Sequence, residues 1–106
     1  MKTNFVYVTA ADMDEAKRIG RMLVVKKLAA CVNILPGVTS VYRWQGAIEH
    51  GEELLLIIKT SQTVWPMLEA QIQALHPYEL PEIVAVPIKT GEAEYIQWLE
   101  NSIPSA

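Results

Sequence analysis

The side chains with the widest chemical reach are few. Cys31 is the only cysteine, and His50 and His76 are the only histidines. Thiolate and imidazole are the donors copper and zinc prefer, usually three or four together at fixed spacing. The chain has no C-x-x-C and no H-x-x-x-H, so a soft-metal site held by one copy alone is not expected. Cys31 and His76 remain the candidate ligands, and they would need donors from a neighbouring copy. Each also has a plainer reading. Cys31 opens a β-rich run, where a small buried hydrophobe is common. His76 closes a helical run, where an imidazole can meet free carbonyls and the helix dipole. His50 lies near a turn and reads as a solvated strand residue. Catalysis has less support. A nucleophile needs a base within hydrogen-bond reach, and no nucleophile elbow, P-loop or G-x-G-x-x-G occurs. Glu52 and Glu53 are strand neighbours that point to opposite faces, so they cannot work as an acid/base pair. An enzyme is not expected.

The elements that must carry these residues can be read from periodicity. Residues 4–9 are β-branched and aromatic, a short first strand. A helix opens at Asp12, with Glu15 at capping-box spacing, and runs to about Leu28. Ala16, Ile19 and Leu23 share one side with Gly20. A helical glycine costs about 1 kcal/mol relative to alanine, so its use here implies close packing on a sheet. Two β-rich arms then flank Gln45-Gly46, a two-residue hairpin signal, with a kink expected at Pro36-Gly37. Val38, Ser40, Tyr42 and Trp44 share one face of the first arm. In the second arm both Leu54, Leu56, Ile58 and Leu55, Ile57 are apolar, so both faces should be covered. A second helix is expected from a cap at Thr63, with Pro66 in its first turn. Trp65, Leu68, Ile72 and Leu75 line one side, and Pro77 stops it at His76. Residues 82–88 read as a strand at a sheet edge because of Pro87. A last short helix after Glu92 carries Tyr95, Trp98 and Leu99. The order β-α-β-β-α-β predicts an α+β, ferredoxin-like sandwich with a long central β-hairpin and a short C-terminal helix.

That hairpin is too long for its own globule. Each arm is about fourteen residues, which at about 3.3 Å per residue spans up to roughly 45 Å. A domain of this length is roughly 34 Å across. Neighbouring copies of the chain are the expected cover. Composition agrees: 106 residues form one domain, residues 1–106, with 51% hydrophobic and 20% charged residues, enough for a core plus an interface. The net charge of −3 leaves no basic stripe for nucleic acid. The longest apolar run, Leu54 to Ile58, is far short of a membrane span. No leader pattern is seen, and the single cysteine suits a reducing compartment, so a cytoplasmic protein is expected.

Four motifs then carry a resemblance. Leu28-Ala29-Ala30-Cys31-Val32-Asn33, Tyr42-x-Trp44-x-Gly46, Lys59-Thr60 and His76-Pro77-Tyr78-Glu79-x-Pro81-Glu82 resemble the CutA divalent-cation tolerance proteins over nearly the whole chain, in the same order and spacing. The resemblance implies a ferredoxin-like subunit, related to the PII signal-transduction trimers, assembled as a homotrimer through its hairpins. It implies a link to tolerance of copper and other divalent ions, with no cofactor required. It also implies that Tyr42, Trp44, Lys59, Tyr78, Glu79 and Glu82 gather near an inter-subunit cleft, as ligand-binding residues or as interface anchors. Some family members carry a cysteine in the first strand and two histidines before the proline, a plausible copper trio. The matching positions here are Val8 and Leu75, which leaves His76. The alternative the resemblance allows is a PII-like regulatory or interaction scaffold that binds a small effector or a partner protein.

Overall fold

Strand β1 (Thr3–Ala10) lies inside the sheet because residues on both of its sides are apolar and both of its edges are paired. In the computed structural model, which describes residues 2–104, it is followed by α1 (Met13–Val25), β2 (Cys31–Trp44), β3 (Ala47–Ser61), α2 (Trp65–Leu75), β4 (Val84–Pro87) and α3 (Ala93–Asn101). The strand order is β2-β3-β1-β4, with every neighbouring pair antiparallel. This is the ferredoxin-like α+β sandwich, with two crossover helices and the hairpin between them.

Alternation along the strands builds the core. Val6, Val8 and Ala10 of β1 and Leu54, Leu56 and Ile58 of β3 all turn to one side and are buried with Ala16, Ile19 and Leu23 of α1 and Leu68 and Ile72 of α2. Gly20 explains how closely α1 approaches: a Cβ there would sit 3.3 Å from a Val32 methyl. The opposite face carries Phe5, Tyr7, Leu55 and Ile57, which are only half-buried, and Leu35, Val84 and Val86, which are exposed. Lys59 belongs to that face and reaches Tyr95, so α3 covers one end of it. The rest is open.

The hairpin turns on Gln45 and Gly46, with φ of 49° and 83°. Positive φ at both central residues is the type I′ turn that matches strand twist. Its tip stands off the body: residues 41–50 are all exposed, and the molecule's longest extent is 44 Å against 26 and 22 Å. The kink is a bulge, since Pro36 and Gly37 together face only Leu54 between the pairs Leu35↔Leu55 and Val38↔Glu53. One extra residue reverses the parity of everything beyond it. Val32 and Ile34 face the helices with Ile58 and Leu56, whereas Val38, Ser40, Tyr42 and Trp44 share the open face with Glu53 and Gly51.

Three boundaries and one cap differ from the sequence expectation. Helix α1 ends before Leu28 because Lys27 takes a left-handed φ of 59° and the Leu28 N–H returns to the Leu23 carbonyl at 2.9 Å, a Schellman-type stop. Thr63 is not a cap; it sits in a 3-10 turn (Gln62–Val64), and α2 starts behind it with Pro66 in its first turn. Strand β4 is four residues, and its pairing stops at Tyr7↔Val84 although β1 runs on to Ala10. The capping box forms by half: Asp12 accepts from the Glu15 N–H at 2.8 Å, while the Glu15 carboxylate turns toward His76.

Candidate functional site

Two ends of the sheet hold the motif residues. At one end, the exit of α1 is clasped to β3. The buried Thr60 hydroxyl donates to the Leu28 carbonyl at 2.7 Å, and the Ala30 N–H donates to the Lys59 carbonyl at 2.9 Å. The first and third motifs are therefore halves of one joint. Cys31 is half-buried there with a free thiol, paired across the ladder with Lys59. The Lys59 ammonium lies 5.8 Å from the Tyr95 ring centroid, a cation–π distance.

The other end carries a groove of about 710 Å³ between the outer hairpin and the segment after α2. Tyr42, Trp44, Tyr78, Glu79 and Glu82 all line it, as do Glu52, Glu53 and Thr9, with Arg43 as the one cation. Five of the six expected cleft residues thus come together in a single chain. Lys59 does not join them; it belongs to the clasp. A second hollow of about 760 Å³ beside α3 gathers Lys2, Asn4, Lys89 and Gln97 but none of the motif residues.

His76 governs the groove wall. It is buried as the C-cap residue of α2, with extended backbone (ψ 129°). Its Nε2 lies 2.6 Å from the Thr9 carbonyl oxygen, and its Nδ1 accepts the Tyr78 N–H at 3.1 Å. The Thr9 carbonyl has a reason to need it. The Thr3 carbonyl faces the β4 side, where it accepts from Ile88 N–H, and alternation turns the Thr9 carbonyl the same way. Strand β4 reaches only as far as Tyr7, so without His76 that buried oxygen would have no ladder partner. Tyr78 stacks edge-on against the imidazole at 4.4 Å and donates its hydroxyl to Glu53 Oε2 at 3.0 Å. Burial, and then this bond to Glu53, hold the Tyr78 phenol well above its ordinary pKa; the charges of Glu53 and Glu15 add to the rise. Glu15 Oε1 is buried without a hydrogen-bond partner, 3.7 Å from His76 Nε2.

Cys31 and His76 are not brought together. Cys31 pairs with Lys59 and Thr9 with Leu55, positions about 13 Å apart along β3. Among the described residues no group of three or more His, Cys, Asp or Glu side chains is placed to hold a metal. Val8 is fully buried in the core and Leu75 packs against it, so the two positions that would complete a copper trio hold hydrocarbon. The donor set does not fit a copper site within the subunit. Sequence reasoning missed the Thr9 carbonyl, Glu15 and Glu53. Only Glu15 left a signal, and it pointed to a helix cap.

The fold and this paired arrangement of clasp and groove define a class: small ferredoxin-like proteins whose long hairpin outruns the body. The chain belongs to the CutA1 divalent ion tolerance protein family, whose model matches residues 4–102. It is 48% identical over 97 residues to the divalent-cation tolerance protein CutA of Thermus thermophilus, covering 92% of this chain and 94% of that one. It is 43% identical over 95 residues to the human protein CutA. The chain spans about half the length of the plant and mammalian relatives, 55% of the rice chloroplastic protein and 53% of the human one. Among solved structures, the rice CutA1 crystal structure superposes with a TM-score of 0.96 at 42% identity, covering 100% of this chain and 97% of that one. The Thermus thermophilus structure gives 0.94 at 46% identity, covering 96% and 99%.

Proposed function

We propose that this chain serves divalent-cation tolerance as a cytoplasmic homotrimer, a binding protein and not an enzyme, with its ligand site at clefts between subunits. The observation that carries the reading is the groove. Its aromatic floor, Tyr42 and Trp44, continues the open apolar face of the sheet, so a neighbouring copy laid on that face would close it. The exposed Leu35, Val84 and Val86 and the overhanging hairpin support the same cover. The half-buried free thiol of Cys31 suits a reducing compartment, although relatives are named chloroplastic in rice and periplasmic in Archaeoglobus fulgidus. No described helix is long and apolar enough to cross a membrane, and the net charge of −3 does not favour nucleic acid.

The proposed ligand is copper or another divalent cation, with no resident cofactor. Glu79, Glu82 and Glu53 are the donors at the groove, and carboxylates suit the harder ions. Cys31 could serve copper only with donors from neighbouring subunits. A second reading has its own observation. Three aromatic rings, a guanidinium and carboxylates around one hollow also suit a small organic effector, which would make the protein a PII-like regulatory scaffold. Sedimentation should give three times the 11.9 kDa subunit mass; a mass of one subunit sinks the assembly. Titration of Zn²⁺ and Cu²⁺ should weaken about tenfold or more on Glu79→Gln with Glu82→Gln. Binding that is unchanged, and no tighter than to any acidic surface, leaves the effector reading in its place.

A further inference from the structure

We infer that His76 is a positioning residue and not a metal ligand in this chain: as a neutral imidazole protonated on Nε2 it ties the groove wall to the end of β1. The two contacts fix the tautomer. A carbonyl oxygen can only accept, so the nitrogen 2.6 Å from Thr9 must carry the hydrogen. A backbone N–H can only donate, so the nitrogen facing Tyr78 must offer its lone pair. Histidines that hold metals commonly donate one ring N–H to a carbonyl and coordinate through the other nitrogen. Here that other nitrogen is already taken. An ion at Nδ1 would displace the Tyr78 N–H, and Tyr78 would then lose the register that brings its hydroxyl to Glu53 at 3.0 Å. The hydrocarbon at Val8 and Leu75 offers such an ion nothing in return. Three elements meet at this imidazole: the end of α2, the last carbonyl of β1 beyond the reach of β4, and the strand that lines the groove through Glu53. The inference stands apart from the trimer and cation readings, because none of its measurements depends on assembly mass and a cation held by the groove carboxylates leaves the Nε2–H tautomer and the Nδ1 contact to Tyr78 unchanged.

Two substitutions separate the contacts. In His76→Asn the amide oxygen occupies the place of Nδ1 and can still accept from Tyr78 N–H. In His76→Gln the amide nitrogen reaches toward the Thr9 carbonyl and Tyr78 is released. Hydrogen exchange of the Tyr78 N–H is expected to stay slow in His76→Asn and to accelerate by about tenfold or more in His76→Gln, where its acceptor is gone. The wild-type protein gives a second measurement that needs no variant. Long-range proton–nitrogen NMR should show the Nε2–H tautomer for His76, and equimolar Zn²⁺ should leave that tautomer in place with no coordination shift of the Nδ1 resonance. An Nδ1–H tautomer, a coordination shift of Nδ1 with Zn²⁺, or a Tyr78 N–H that exchanges alike in both folded variants would overturn the proposal. If a variant fails to fold, the wild-type spectra decide alone.

Discussion

Tyr78 is the residue where burial and charge act on one group, and it sets a pH dependence with a definite sign. Its phenol is raised above the ordinary value, first by burial and then by the bond to Glu53. Above about pH 10 the unfolded chain releases this proton while the folded chain keeps it, so the folded state binds more protons and stability falls as pH rises. The contribution is complete below that point and lost as pH climbs through the folded value. Urea midpoints measured at rising alkaline pH should therefore fall more steeply for wild type than for Tyr78→Phe; equal slopes would show that the burial does not matter. The residues around it were partly legible. The spacing His76-Pro77-Tyr78-Glu79 announced a helix stop followed by an extended connector. Which carbonyl the imidazole would meet was not legible, because Thr9 is 67 positions away in sequence and nothing local marks a carbonyl that outlasts its partner strand.

At the scale of elements, the clasp between α1 and β3 is the joint to test. Thr60→Val keeps the shape and removes the hydroxyl, leaving the Leu28 carbonyl buried without its donor. An orphaned buried acceptor costs about 1–3 kcal/mol, and Thr60→Ser should recover most of that. Chemical denaturation at one fixed protein concentration checks both; a Thr60→Val midpoint equal to wild type would mean water replaces the bond. The helices and strands themselves were legible, since 3.6- and 2-residue periodicities are written in side-chain hydrophobicity. Their ends were less so. Lys27 adopts a conformation usually left to glycine, which no residue preference would suggest. Thr63 has the chemistry of a cap, but a 3-10 turn takes its place. The Gly20 expectation holds, with Val32 filling the space a side chain would need.

At the scale of the whole molecule, the overhang of the hairpin is the feature that argues for partners. Val41 and Ile48 lie on one face of its tip and are 63% and 56% exposed. If neighbouring copies cover them, Val41→Glu with Ile48→Glu should reduce the sedimentation mass from that of the proposed trimer to one subunit while the circular dichroism of the subunit persists. A trimer that survives both charges would place the interface elsewhere. The sequence by itself determined the fold class, the excess length of the hairpin and the family, because periodicity, strand length and motif order are local properties of a chain. Only the tertiary structure decided which face Tyr42 and Trp44 present, since the single extra residue at Pro36-Gly37 reverses the parity of the arm beyond it. It also decided that Lys59 and Cys31 sit at the clasp while Tyr78, Glu79 and Glu82 line the groove. Those positions follow from strand register, which depends on partners far away in the chain.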